Sequence, residues 1–285
     1  MLQSPRYWVI MNVKSLGYRT DLIFLAFDGE IIDRGPYLVL RTPTNPTFYW
    51  GNFLFFSQPP REGDCSKWLD LFALEIGVPP QAEHQVFGWD TVDGEEGVIQ
   101  PFLDAGFRRN HSVVLTCSEP RRPARPAAPV SIRALKTEAE WEQVIEVQVA
   151  SRDLEHEESS YREFRKRQMI RYREMIDSAL GDWYGAFAGQ QLVADLGLFH
   201  DQGVGRYQSV GTHPDFRRRG IASALIVAAG RQAKAAYDLH TLVIVAKEAT
   251  NAARLYESLG FQPTEKQTGL ERWPGMDLDW SDGSG

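Results

Sequence analysis

Arg217-Arg218-Arg219-Gly220-Ile221-Ala222, with Ser223 next, sets three guanidinium groups beside a glycine and two small side chains. A β-type run, Arg206–Val210, ends just before it at Thr212-His213-Pro214, and an alanine-rich helical pattern, Ile221–Tyr237, begins directly after it. The first N–H groups of a helix have no partners of their own, so a broken strand that hands a glycine to a helix start makes a pocket for an anion. Phosphate is the natural guest. Gly220 lets a ligand come close to the backbone, and Ala222 and Ser223 keep the next positions clear. Helix-dipole attraction adds only about 0.3–2 kcal/mol, so the N–H bonds and the arginines must supply most of the grip. A basic loop ahead of a helix also serves elsewhere as a solvated cap, and six residues alone leave both readings open.

The elements that would hold this loop fall into two halves. A chain of 285 residues exceeds one typical domain and suits two. Glu119-Pro120-Arg121-Arg122-Pro123-Ala124-Arg125-Pro126-Ala127-Ala128-Pro129 divides it, because spaced prolines deny helix bonds and favour a stiff, extended spacer. The division is therefore residues 1–118, a linker at 119–130, and a second domain at 131–285. In the second domain Ser131–Leu135 reads as a strand, Glu138–Ser151 and Tyr161–Ala179 as helices, and Trp183–Phe187, Leu192–Phe199 and Arg206–Thr212 as an antiparallel meander. After the helix from Ile221 come a buried strand, Thr241–Ala246, a short helix, Asn251–Leu259, closed by Gly260-Phe261, and a last strand at Leu270–Trp273. With 43% hydrophobic and 24% charged residues the composition is that of a soluble globular protein. A net charge of -7 argues against a nucleic-acid partner. Cys65 and Cys117, the only cysteines, are too few for a disulfide framework or a zinc ribbon, which fits a reducing cytoplasm. Met1–Gly17 lacks the pattern of an export signal and no run is apolar enough to span a membrane. His156-Glu157-Glu158 has no second histidine at zinc-protease spacing, so no metal is expected.

The loop and the order of elements together resemble the GNAT superfamily of N-acetyltransferases. Its acyl-CoA-binding motif runs Arg or Gln, two residues, Gly, one residue, then Gly or Ala, and Arg217, Gly220 and Ala222 fill those positions. The order of strands and helices agrees from Val130 nearly to the end, about 150 residues. The resemblance implies an α/β (α+β) fold with a mixed, mostly antiparallel sheet flanked by helices, and acetyl-CoA as cofactor. It further implies a sheet that splays between Arg206–Thr212 and Thr241–Ala246 to admit the pantetheine arm. Main-chain N–H groups at Val210 and Thr212 would face the thioester, with Gly211 easing a bulge between them. Tyr256 would stand beside the sulfur as proton donor, or else simply pack its ring by Leu255 and Leu259. Asn251 would contact pantetheine or cap its helix. The loop holding Asp153, Glu155, His156, Glu157 and Glu158 would wall the acceptor site, with Asp195 a second candidate base, though charge runs are commonly solvated faces. The activity implied is direct attack by a small-molecule primary amine in a ternary complex, since no cysteine or serine stands in a nucleophile setting. A CoA-binding sensor without catalysis and a protein or peptide N-acetyltransferase are the other readings.

A fainter copy of the same order precedes the linker. Thr47–Phe56 reads as a strand, Ser66–Glu75 as a helix, His84–Trp89 as a strand, Val98–Ala105 as a helix closed by Gly106-Phe107, and Val113–Cys117 as a last strand. Aligning the two Gly-Phe closures sets Phe102 opposite Tyr256, so this copy lacks the hydroxyl. Where the arginines should stand it has Gln58-Pro59-Pro60-Arg61-Glu62-Gly63-Asp64, poor in N–H donors and acidic. It should not bind CoA; bracing the active half or walling its acceptor pocket is the expectation, with an independent partner-binding module as the other reading.

Overall fold

A computed structural model describes residues 12–123, 126–152, 156–274 and 276. In chain order the elements are α1 Leu16–Asp28, β1 Glu30–Asp33, β2 Tyr37–Arg41, β3 Phe53–Phe56, α2 Asp64–Glu75, β4 Gln85–Trp89, α3 Gln100–Asp104 and β5 Arg108–Cys117. Beyond the proline-rich segment follow β6 Ser131–Ala134, α4 Glu138–Ala150, α5 Glu158–Asp177, β7 Gly181–Ala188, β8 Gln191–Asp201, β9 Val204–Thr212, α6 Ile221–Tyr237, β10 Thr241–Lys247, α7 Asn251–Ser258 and β11 Gln262–Arg272. All the strands join in one eleven-stranded sheet, in the order β1-β2-β3-β4-β11-β5-β10-β9-β8-β7-β6. Only β3 with β4 and β9 with β10 run parallel. The mixed, mostly antiparallel sheet is as the resemblance implies.

That order reveals an exchange. β5 ends the first half yet pairs with β10 of the second, Leu242 opposite Cys117 through Lys247 opposite Ser112. β11 ends the second half yet pairs with β4 of the first, Gly269 opposite Gly88 through Arg272 opposite Gln85. The two exchanged strands lie side by side at the centre, from Gln262 opposite Thr116 to Glu271 opposite Arg108. Each half therefore completes its sheet with the other's last strand, as in a domain-swapped dimer closed within one chain. β10 reads Leu-Val-Ile-Val-Ala because it is buried on both faces, where alternation disappears.

Helices α6 and α7 cover one face of the carboxyl half, with Leu225, Ile226, Ala229 and Tyr256 packed on Tyr184, Leu198, Tyr207 and Ile244. α4 and α5 cover the other through Trp141, Val144, Met169, Tyr172 and Met175. α1 joins that second face with Ile23 and Phe24, while its Tyr18, Leu22 and Leu25 rest on β2 and β3 of the amino-terminal half. Its first turn is fixed from the far half: Glu265 of β11 accepts from the Leu16 N–H at 3.0 Å and the Ser15 hydroxyl at 3.0 Å, an acid where the helix dipole favours one.

Several sequence expectations change. The aromatic run Thr47–Phe56 is a strand only from Phe53; Asn52 donates from its side-chain amide to the Asn45 and Phe48 carbonyls and folds Tyr49–Gly51 into a 3-10 turn. The last strand starts at Gln262, well ahead of Leu270, because β5 offers it a partner along its whole length. The proline-rich segment is no free spacer: Arg121 N–H donates to the Leu259 carbonyl at 2.7 Å and Ala128 N–H to that of Arg219 at 2.9 Å. It lies against the opening of α6 and the closing end of α7. No helix among the described residues is long and apolar enough to cross a membrane.

Candidate functional site

The arginine loop opens α6 as its composition demands. Pro214–Phe216 forms a 3-10 turn, Arg218 and Gly220 take left-handed φ values of 61° and 72°, and Gly220 is the N-cap with no side chain to satisfy the first turn. Main-chain N–H groups from Arg218 to Ser223 donate to no acceptor among the described residues, which is the cradle an anion requires. A cleft of about 500 Å³ lies against them, lined by Arg218, Arg219, Gly220, Ser223, Ser258 and Leu259 and by Pro123, Pro126 and Ala128 of the connecting segment. The arginines divide their work. Arg217 Nε turns back to the Thr212 carbonyl at 3.3 Å, Arg219 donates to the Asp215 carbonyl at 2.8 Å over the Phe216 ring, and Arg218 makes no hydrogen bond among the described residues. Ile221 is anchored in the core beneath the loop and Ala222 is half-buried.

Ahead of this loop the sheet opens. β9 and β10 are paired only over Val204–Arg206 with Thr241–Val243 and part beyond that point. β9 also bulges: Asp195 faces Gly211 and Gly197 faces Gln208, so Ser209 and Val210 together oppose Leu196. The left-handed residue is Ser209, φ 50°, rather than Gly211. Gly211 is required for a different reason, since a Cβ there would fall 2.7 Å from Gln148 Nε2 and 3.4 Å from Asp195 Oδ2. His213 N–H donates back to Val193 of β8, and strand alternation then turns the Thr212 N–H toward the edge that β10 has left, while Val210 lies in the bulge itself.

Asp195 braces the bulge from behind. It is fully buried; its Oδ1 accepts from Gln148 Nε2 at 2.7 Å and from Trp183 Nε1 at 3.1 Å, and Oδ2 has no partner among the described residues. Gln148 spends its second amide hydrogen on the Ser209 carbonyl at 2.8 Å. Burial outweighs these donors and pushes the Asp195 carboxyl up to about 7.

Tyr256 sits on the α6 and α7 face, in one cluster with Ile244 and Ala246 of β10. Its ring is 6% exposed and its hydroxyl makes no hydrogen bond among the described residues. Burial pushes the phenol up to about 12. Asn251 does not cap its helix; Thr250 does, accepting from Ala253 N–H at 3.3 Å, and Asn251 Oδ1 accepts from Arg254 at 2.7 Å. Glu157 is the N-cap of α5, held down to about 2 by the Ser159 hydroxyl and the N–H groups of Ser159 and Ser160. A carboxylate so engaged is a poor proton acceptor. Asp153 and Glu155 lie outside the described residues.

The amino-terminal half repeats these joints with different fillings. Gly63, φ 78°, opens α2 as Gly220 opens α6, but Asp64 Oδ2 accepts from Arg61 N–H at 2.8 Å, so the chain's own carboxylate stands at the helix start. Phe107 N–H donates to the Phe102 carbonyl at 3.0 Å as Phe261 N–H does to that of Tyr256 at 3.2 Å. β3 and β4 stay paired to the end of β3, Phe56 opposite Trp89, and the Phe56 ring stacks on Trp68 at 3.6 Å. No gap opens there.

Opposite the arginine loop, the face bearing α1 and α5 holds a cavity of about 240 Å³ shared by both halves, with Asp21, Gln208 and Gln267 in its lining. None of these follows from the sequence. Ser15 ahead of an apolar run was a readable helix start, but the strand exchange that brings Gln267 to this face was not.

Residues 180–263 match the family described as Acetyltransferase (GNAT) domain. No curated protein sequence matches the chain. Among solved structures it is similar to a functionally unknown conserved protein from Staphylococcus epidermidis, 15% identical, covering 87% of this chain and 95% of that one with a TM-score of 0.65. A GCN5-related N-acetyltransferase from Kribbella flavida is 15% identical over 93% of this chain and 98% of its own, TM-score 0.62. A tandem GNAT protein from the clavulanic acid biosynthesis pathway is 13% identical over 80% and 76%, TM-score 0.50. At such identities the likeness is one of fold.

Proposed function

We propose, from the match of residues 180–263 to the GNAT acetyltransferase domain, that this chain is a GNAT enzyme that transfers an acetyl group from acetyl-CoA to the primary amine of a small molecule by direct attack in a ternary complex. The observation that carries this reading is the parting of β9 from β10 after Arg206 and Val243, directly ahead of a loop of unsatisfied N–H groups. Bound acetyl-CoA supplies an activated acyl thioester. The N–H groups from Arg218 to Ser223 and the Arg218 and Arg219 guanidiniums hold its diphosphate, each contact charge-assisted. Val210 and Thr212 offer N–H groups along the split, fixed in aim by the Gln148 and Asp195 brace, so little reorganisation is needed as charge develops.

Tyr256 is the donor to the departing sulfur. A phenol near 12 is about 3.5 units less acidic than a thiol near 8.5, so outright proton transfer would be uphill by about 5 kcal/mol. Its part is a hydrogen bond that strengthens as negative charge gathers on sulfur, with the thiol's proton coming ultimately from the amine. The halves 1–118 and 131–285 descend from one duplicated unit joined by 119–130. The first no longer takes CoA, because Asp64 stands where phosphate would lie. The cytoplasm is the compartment assigned, in keeping with the unpaired cysteines Cys65 and Cys117. Thiol release from acetyl-CoA, measured with and without a panel of amines, tests the reading. Amine-dependent release is expected; tight CoA binding with no release for any amine would leave a sensor.

A further inference from the structure

The cavity on the α1 and α5 face meets the split where β9 and β10 have just parted, since Gln208 and Val245 in its lining each follow the last paired residue of their strand by two positions. Tyr207, the residue before Gln208 on β9, points the other way, its hydroxyl donating to the Ile226 carbonyl of α6 at 2.8 Å. The gap therefore has a cofactor face, with α6 and α7, and a second face closed by the amino-terminal half.

Two polar groups of that second face are unspent. Asp21 of α1 engages Arg206 through Oδ1 at 2.9 Å, leaving Oδ2 without a partner among the described residues. Gln267 of β11 is 6% exposed, and neither its carboxamide oxygen nor its nitrogen makes a hydrogen bond there. Its amide lines the open cavity, where both its donor and its acceptor are available to a guest. Both cations in the lining are committed. Arg206 donates to the carbonyls of Gly17 and Tyr207, to the Thr20 hydroxyl and to Asp21, and Arg171 to Asp28 and to the Phe24 carbonyl. No free guanidinium remains for a carboxylate or phosphate on the guest. Tyr18, Phe24, Phe48 and Trp50 supply aromatic walls, and about 240 Å³ lies below the usual range of drug-sized pockets, roughly 300–1,000 Å³.

We propose that this cavity is the acceptor site, that Asp21 of the amino-terminal half receives the substrate's ammonium, and that Gln267 and Gln208 read an uncharged, hydroxyl- or amide-bearing body. The substrate class is a small monoamine with polar but non-anionic substituents, and the half that lost its cofactor site supplies its specificity. This rests on the acetyl-transfer reading above.

The test uses the full chain, acetyl-CoA, and four probes: glucosamine, cyclohexylamine, spermidine and a lysine-containing peptide. Glucosamine is expected to give the highest kcat/KM. Asp21→Asn should raise its KM about 10- to 150-fold, the loss of one charge-assisted bond, while acetyl-CoA affinity by calorimetry stays within about twofold. Gln267→Leu should shrink the preference for glucosamine over cyclohexylamine several-fold. Should Asp21→Asn fail to fold beside Arg206, Ser112→Leu, which fills the cavity from β5, must abolish amine turnover and leave acetyl-CoA binding intact. An unchanged amine KM in Asp21→Asn, undiminished turnover in Ser112→Leu, or preference for the peptide or spermidine overturns the proposal. Failure of the wild type to bind acetyl-CoA, or to acetylate any probe, contradicts instead the reading on which it rests.

Discussion

Replacing Tyr256 by Phe removes one oxygen and little else. The ring is 6% exposed and packs toward Phe261 at 6.4 Å, contacts that Phe keeps, and the lost hydroxyl leaves no protein group unpaired. Unfolding free energy should therefore move by no more than about 0.5 kcal/mol. In the proposed reaction the hydroxyl would meet sulfur as it becomes anionic, and a hydrogen bond to a charged group contributes about 1.5–3 kcal/mol. At 1.36 kcal/mol per tenfold this is a fall of about 10- to 150-fold in kcat. An interaction made only at the transition state lowers kcat and kcat/KM together, so the KM for acetyl-CoA should stay within about twofold. Stopped-flow thiol release, with calorimetry for CoA affinity, separates the two quantities. Because burial holds the phenol near 12, the wild type should also show no loss of rate from ionisation of Tyr256 below about pH 10. An unchanged kcat, or a loss confined to KM, would refute the donor role.

Gly220→Ala places a Cβ at φ 72°, a left-handed strain of about 1–2 kcal/mol, and 3.2 Å from Ala127 Cα. Acetyl-CoA affinity by calorimetry should fall about tenfold, and an unaltered value would dismiss the cradle. Asp195 has its folded pKa raised from 3.8 to about 7, so its stabilising contribution is full below pH 4 and is lost as pH climbs through 7, a swing of about 4 kcal/mol. Denaturant curves of wild type and Asp195→Asn should diverge accordingly, wild type losing ground between pH 4 and 8; parallel curves would mean the carboxyl does not titrate there. Residues 119–285 expressed alone lack β5, which bares the β10 edge Leu242–Lys247 and leaves β11 unpaired. Size-exclusion chromatography should find aggregates or strand-exchanged dimers, and a stable monomer would show that the exchange is dispensable.

The loop was legible because its chemistry is local: Arg217 through Ser223 announce a helix start with no side-chain cap, whatever surrounds them. The parting of β9 and β10 was implied by the family resemblance that the loop and the order of elements carry, not by the residues of the two strands themselves. Strand exchange could not be read, since Arg108–Cys117 and Gln262–Arg272 carry the same alternation whichever half they join, and only the global pairing decides. α1 escaped notice because Tyr18, Leu22, Ile23, Phe24 and Leu25 bury several sides of one helix between the two halves, which erases the single stripe that periodicity reads. The bulge was foreseen at Gly211 and is centred on Ser209 because the Gln148 amide, not glycine's freedom, sets it. Thr250 took the cap that Asn251 also suited, a choice between adjacent residues that composition does not rank.

A crystal structure of the full chain with bound CoA tests the central claim most directly. Its diphosphate should lie about 3 Å from the N–H groups around Gly220 and Ala222, and its thiol should enter the gap between β9 and β10 beside the Tyr256 hydroxyl. Coenzyme found at the Gly63 turn of α2, or anywhere that leaves the Gly220 loop empty, would contradict the account.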